Sequence, residues 1–329
     1  MYAEFYGLAT RPFQLTPDAR FFFESSVHRQ AMAYLVYGLH HAEGFIIITG
    51  EVGAGKTILV DNLLATISEN SFVTAKIVTS QLGGDDLLHM VAAGFGIAKE
   101  GLAKGSLLQR INDFVLAQHR TGKRVLLIVD EAQNLSFEAL EELRMLSNIV
   151  VDKTMALQSF LLGQPQFRAI LGSPGLEQLR QRVTAAYHLG PLSEAETRAY
   201  IEHRLRRAEW KGDPQFTDSS FPVIHQYTEG VPRRINTLCS RLLLYGFLEQ
   251  LHTLTASAVD KVATDLREEI AVVSTAPASG VDAEKGALGA ALPAVVERLA
   301  GLEKSVDRHE RLIRRAIEIA AHYFQGERP

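Results

Sequence analysis

Residues 45–57 read Phe45-Ile46-Ile47-Ile48-Thr49-Gly50-Glu51-Val52-Gly53-Ala54-Gly55-Lys56-Thr57. Four apolar residues and a β-branched threonine lead into a glycine-rich loop of the form G-x4-G-K-T. From Ile58 to Ile67 the apolar residues then recur at helical spacing. Strand, loop and helix follow one another without a gap. The residue types suit a phosphate-binding loop. Glycines let the chain bend so that successive backbone N–H groups point inward, at the positive end of the helix that follows. Lys56 then reaches the β- and γ-phosphates, and the Thr57 hydroxyl is placed to ligate Mg²⁺. Gly50, Glu51, Val52, Gly53, Ala54, Gly55, Lys56, Thr57 and Ile58 are therefore the expected phosphate-binding residues.

Downstream, strands and helices alternate. Phe72–Thr79 alternates in polarity like a strand, and Leu87–Ile97 and Leu107–Gln118 carry helical spacing. Arg124-Val125-Leu126-Leu127-Ile128-Val129-Asp130 is a near-continuous apolar strand, the pattern of a parallel sheet covered on both faces. Ser136 opens a helix to about Ile149, Leu157–Leu162 is a further buried strand, and Ala186–Leu189 ends the alternation at Gly190-Pro191. The expectation is an α/β fold with a parallel five-stranded sheet over residues 1–191.

From Ser193 the pattern is helical only. Ser193-x-x-Glu196 is a capping box before Tyr200–Ala208, Asp218 is placed to cap the next segment, and Pro232 starts a helix through Leu248. A shorter helix spans Ala256–Glu269. Residues 192–270 thus read as a small helical lid domain. Residues 271–291, rich in Ala, Gly and Ser, read as a flexible linker. Leu292, Val295, Leu299, Leu302, Val306, His309, Ile313, Ala316, Ala320 and Tyr323 then fall at alternating three- and four-residue steps, a heptad seam over residues 292–324. Its alternative is an amphipathic helix folded back on the domains.

The 329 residues hold 47% hydrophobic residues, ample for a core, and a net charge of −4 with pI near 6.3 gives no global basic field. That weighs against a dedicated nucleic-acid binder. A single cysteine, Cys239, fits a reducing compartment and reads as a buried apolar residue. No apolar run approaches 18 residues and no signal segment opens the chain, so a cytoplasmic location is expected, with any inner-membrane contact made through partners.

Acidic residues directly after a buried strand mark where such folds hold ligands. Asp130 suits Mg²⁺ coordination and Glu131 the orientation of an attacking water. No Asn-Lys-x-Asp guanine-reading motif occurs, so the expected nucleotide is ATP, with Mg²⁺. Gln164, in Gly163-Gln164-Pro165, either positions the water or senses the γ-phosphate, or is a plain turn residue. Arg182, with Arg180 as second candidate, either serves the site of a neighbouring subunit or makes surface ion pairs. Arg233, in Gly230-Val231-Pro232-Arg233, either reaches the γ-phosphate or is a solvated first-turn arginine. The basic stretch Arg204-Leu205-Arg206-Arg207, flanked by Glu202 and Glu209, reads as a solvated helix face.

In this order the phosphate loop, Asp130-Glu131, Gln164, Leu179-Arg180-Gln181-Arg182 and the Gly-Val-Pro-Arg helix resemble the AAA+ ATPases. Phe5-Tyr6-Gly7-Leu8, Arg11-Pro12-Phe13, Asp130-Glu131-Ala132-Gln133-Asn134-Leu135 and Tyr187-His188-Leu189 narrow the likeness to the general secretion pathway ATPase A (ExeA) family, over about residues 1–268. Within it, the chain is most similar to the ATPases found with exosortase A/PEP-CTERM and exopolysaccharide systems. The resemblance implies an AAA+ P-loop fold, an N-terminal segment near the adenine, Arg182 as a finger acting in trans, Arg233 as a sensor, and a ring or filament of copies. It implies ATP hydrolysis that drives or regulates assembly of envelope secretion or polysaccharide export components. The secretion family continues into a transmembrane helix and a peptidoglycan-binding domain, where this chain has the linker and heptad helix. The same core also resembles transposition regulators of the TniB and Mu B type, which act on DNA. That is the alternative reading, and the acidic pI does not favour it.

Overall fold

The computed structural model describes residues 1–16, 18–41, 44–67, 71–79, 83–99, 101–151 and 154–274. The heptad seam at 292–324 and the greater part of the 271–291 stretch lie outside the described residues. Of the described residues, 1–247 with 251–264 form one compact unit, and Leu248–Gln250 with 265–274 fall to a second.

The first unit is organised by its sheet. Strands β1 (Phe45–Gly50), β2 (Phe72–Val78), β3 (Arg124–Asp130), β6 (Leu157–Gly163) and β7 (Val183–Leu189) form the expected five-stranded sheet, in the order β2-β3-β6-β1-β7. All four pairings are parallel. A two-residue antiparallel ladder, β4 (Val150–Val151) with β5 (Thr154–Met155), precedes β6. In β3, Val125, Leu127 and Val129 enter the core on one face while Leu126 and Ile128 enter the core on the other. Period-two alternation with both faces apolar is what makes an unbroken hydrophobic run a central strand.

Helices cover both faces. Helix α1 (Tyr2–Phe5) and a single 3₁₀ turn (Ala19–Phe21) lead to α2 (Ser26–His41), which packs on β1 and β7 together with α3 (Lys56–Thr66). The opposite face holds α4 (Gly84–Gly94), α5 (Lys104–Arg120), α6 (Phe137–Leu146), α7 (Gln166–Gly172) and α8 (Glu177–Arg180). Ser136 caps α6 as expected, accepting from the Ala139 N–H at 3.1 Å. After the sheet come α9 (Glu194–Arg207), α10 (Ser220–Thr228), α11 (Pro232–Leu248) and α12 (Ala256–Ser274), with a short parallel ladder of β8 (Gln215–Phe216) and β9 (Thr253–Leu254).

Several boundaries differ from the sequence reading. Strand β7 begins at Val183 rather than Ala186, because it is an edge strand whose exposed Thr184, Ala186 and His188 interrupt the apolar run. The capping box at Ser193–Glu196 starts α9 at once, at Glu194. Asp218 caps nothing; it pairs with Arg198 at 2.8 Å, and α10 opens without a side-chain cap. Helix α12 runs to Ser274, four residues into the stretch read as linker. Cys239 is fully buried, and burial pushes its thiol pKa up. Among the described residues, no helix is long and apolar enough to cross a membrane.

Candidate nucleotide-binding site

The strand order brings three segments to one edge of the sheet. β6 lies between β3 and β1, so the loop after β1, Asp130-Glu131 after β3 and Gln164 after β6 share the carboxyl ends of adjacent strands. The loop's shape depends on two glycines. Gly53 has φ +82° and an added Cβ would lie 2.1 Å from the Arg233 Cβ. Gly55 has φ +100° and its Cβ would lie 2.7 Å from His28 Nε2. Both the left-handed backbone and the close neighbours require glycine.

Lys56 opens α3 and is 5% exposed. Its Nζ donates to the carbonyls of Gly50 (2.7 Å) and Glu51 (3.0 Å). Burial lowers its pKa, opposed by the charges of Glu131, Asp130 and Glu51. Thr57 Oγ1 donates to Asp130 Oδ2 at 2.7 Å, and the other Asp130 oxygen accepts from the Glu131 N–H at 2.9 Å. A hydroxyl and a carboxylate converging beside a phosphate loop fit Mg²⁺, which takes one or two protein ligands and completes its shell with phosphate and water. Thr57 and Asp130 would hold the ion, which would supply charge neutralisation at the β- and γ-phosphates.

Glu131 stands in the left-handed region at φ 55°, uncommon for a residue with a side chain. Thr79 holds it there: its hydroxyl contacts the carbonyls of Asp130 at 3.0 Å and Glu131 at 2.7 Å. Asn134 in turn donates to the Thr79 carbonyl at 3.0 Å. The Glu131 carboxylate accepts from Gln133 Nε2 (2.6 Å) and Gln164 Nε2 (3.1 Å), and the Gln164 N–H donates to Gln133 Oε1 at 2.9 Å. Burial pushes the Glu131 pKa up, but the two amides and Lys56 outweigh it and leave it below the ordinary value. The carboxylate is ionised and aimed. Gln164 is thus next to Glu131, whereas Gln133 and Asn134, which the sequence showed only within the family motif, and Thr79 had no role assigned to them there. Gln133 had a signal, two residues after the acid; Thr79 had none, since it comes from just beyond the neighbouring strand β2.

The loop and the helices after the sheet share a cavity of about 250 Å³. Arg233 lines it, and its N–H donates to the Gly53 carbonyl at 3.2 Å, tying α11 to the loop. His28 is buried against the loop's other side, with Nε2 3.2 Å from the Ala54 carbonyl and Nδ1 2.6 Å from Ser25 Oγ. Arg204 is 6% exposed and also lines the cavity, so it leaves the solvated face expected of it; Arg206, paired with Glu202 at 2.6 Å, and the exposed Arg207 keep that role. What draws Arg204 inward is a set of acceptors about 190 residues away, the Pro12 carbonyl at 2.6 Å and the Gln14 carbonyl at 3.4 Å.

Arg182 is not in this cluster. It precedes β7, whose start pairs with the start of β1, whereas Gly50 pairs with Leu189 at the far end. Roughly 20 Å of strand separates it from its own phosphate loop. It donates to Ser147 Oγ at 2.7 Å and to Asn148 Oδ1. Arg180 binds the Leu171 carbonyl at 2.9 Å and Glu177 at 3.5 Å.

Comparison with known proteins bears on this geometry. Residues 39–171 match the family model described as AAA domain. The chain is 37% identical over 267 residues to general secretion pathway protein A of Aeromonas hydrophila, covering 81% of this chain and 48% of that protein. It is 32% identical over 129 residues to Mu-like prophage FluMu DNA transposition protein B of Haemophilus influenzae, covering 39% of this chain and 42% of that one. The chain therefore spans less than half the length of either relative. Among solved structures it resembles the ORC2 protein of Aeropyrum pernix (TM-score 0.56, 16% identity, 78% of this chain and 71% of that one). It also resembles Cdc6p of Pyrobaculum aerophilum (TM-score 0.59, 15% identity, 77% and 70%). At such identities the likeness is one of fold.

Proposed function

We propose that this chain, whose fold is that of an AAA-type P-loop nucleoside triphosphatase, hydrolyses ATP with Mg²⁺ at the cavity between the phosphate loop and the helices after the sheet. One observation carries the reading: the Glu131 carboxylate, ionised and held by Gln133 and Gln164, stands beside Lys56, Thr57 and Asp130 on one sheet edge. Glu131 orients the attacking water and takes its proton, Gln164 fixes the direction of that carboxylate, and Lys56 meets the charge that develops on the transferred phosphoryl group. Arg233 links the position of α11 to the state of the loop. The chemistry favours ATP over GTP because the chain has no guanine-reading motif.

The cellular role we propose is drive or regulation of an envelope secretion or polysaccharide export assembly from the cytoplasmic side, by copies that associate into a ring or filament. Support comes from the long match to general secretion pathway protein A, which covers 81% of the chain. The shorter match to a DNA transposition protein favours a second reading, an ATPase that works on DNA. A duplex-DNA gel shift with ATP at increasing salt separates them. Phosphate-driven binding must weaken steeply with salt, and its appearance would favour the second reading.

The nucleotide reading has its own test. Lys56→Ala removes the buried cation at the loop and should abolish tight ATP binding in calorimetry while the chain stays folded. Unchanged affinity would remove the loop from the site.

A further inference from the structure

The lining of the cavity comes from different parts of the chain. Lys56, Thr57, Glu131 and Arg233 belong to it and take the phosphates on the reading above. So do Gln14, Leu15 and Phe21–Phe23 from the N-terminal segment and Tyr200, Arg204 and Asn236 from α9 and α11. Phe22 packs against His28 beside the phosphate loop, and Arg204 ties the segment to α9. Its Nε donates to the Pro12 carbonyl at 2.6 Å, and its terminal nitrogens donate to the Gln14 carbonyl at 3.4 Å and the Tyr200 hydroxyl at 2.8 Å. The Tyr200 hydroxyl donates onward to Asn236 Oδ1 at 2.9 Å, which extends the chain of contacts from α9 to α11. The guanidinium also lies over the Phe21 ring, 4.9 Å from its centroid.

A buried arginine ordinarily meets a carboxylate, because an uncompensated charge is costly to desolvate. Here every hydrogen-bond acceptor is neutral. Asp18 feels the Arg204 charge, but its carboxylate is bonded to Arg20. A cation kept in such a place satisfies its donors only when residues 12–14 lie across it, so the segment and the guanidinium order each other. The planar fork matters, since three donors point to three fixed acceptors and a lysine could satisfy only part of the set.

We propose that Arg204 is a positioning residue for the nucleoside end of the site: it holds the N-terminal segment as the wall against which the base and ribose bind, and it has no part in holding the phosphates. This rests on the nucleotide-binding reading. The consequence is specific, because a ligand without a base should not sense Arg204.

The test compares affinities for ATP and for inorganic tripolyphosphate, each with Mg²⁺, in the full chain and in Arg204→Met and Arg204→Lys. Methionine keeps the apolar stem without the donors, and lysine keeps the charge without the fork. Both variants should bind ATP at least tenfold more weakly and tripolyphosphate within twofold of the unsubstituted chain. ATP affinity that stays unchanged would overturn the proposal. So would an equal loss for both ligands, or the unfolding of both variants, since Arg204 would then serve the fold and not one end of the site. If the unsubstituted chain binds neither ligand, the nucleotide reading itself fails, and that outcome is told apart by needing no variant.

Discussion

Glu131 shows how single residues are set at this site. Its left-handed backbone is held by two contacts from Thr79, and the turn that results points the carboxylate at Gln133 and Gln164. His28 does comparable work on the other side of the loop, filling the space that the glycine at 55 leaves free. Burial lowers the His28 pKa, opposed by the Ala54 carbonyl and the charge of Glu196. The folded chain therefore binds fewer protons here than the unfolded chain, whose histidine titrates near 6.5. Stability from this group is complete above that pH and declines as pH falls below it. Between pH 7.5 and 5.5 the chain should lose up to about 1.4 kcal/mol through His28, a loss that His28→Gln should not show. Urea midpoints at the two pH values measure the difference. Equal declines in both proteins would mean that His28 titrates normally. Lys56, Asp130 and Glu131 were legible as residues because their spacing after apolar strands has a mechanism. His28, Thr79 and Arg204 were not, because a lone residue acquires its role from partners that only the folded chain supplies.

At the scale of elements, legibility followed burial. β1, β3 and β6 are covered on both faces; β1 and β3 read as apolar runs, and β6 does so from Phe160 to Leu162, after the buried Gln158 and Ser159. The edge strand β7 was read short because solvent on one side breaks its pattern. Ends set by side-chain caps, at Ser136 and Ser193, could be read, whereas α4 starts at Gly84 behind an N-cap glycine and carries no such mark. β3 carries the greatest demand, since it joins β2 to β6 and ends in Asp130. Leu127 is fully buried within it, and Leu127→Ala should cost about 2–5 kcal/mol, read as a lowered urea midpoint with the slope unchanged. A cost below about 1 kcal/mol would show that the layer over that face is loosely packed.

At the scale of the whole molecule, Arg182 stands far from its own phosphate loop, and a role for it in hydrolysis would need a second copy. If Arg182 serves a neighbour's nucleotide, an isolated copy lacks a finger, an absence worth roughly 10³–10⁵ in rate. Arg182→Ala and Glu131→Gln should then each be inactive alone and recover activity when mixed, because an interface between a sound Glu131 and a sound Arg182 re-forms. A mixture that associates and stays inactive would leave Arg182 to its contacts with Ser147 and Asn148. The central claim is simpler: this cavity turns over ATP with Glu131 as the residue that activates water. Steady-state ATP hydrolysis with Mg²⁺, measured over a range of protein concentration beside calorimetric ATP affinity, tests it most directly in the unsubstituted chain and in Glu131→Gln. The amide should bind ATP as well as the acid does and lower turnover by about 10²–10⁴-fold at every concentration. Turnover at the unsubstituted rate in Glu131→Gln, or no turnover by the unsubstituted chain at any concentration, would contradict the claim.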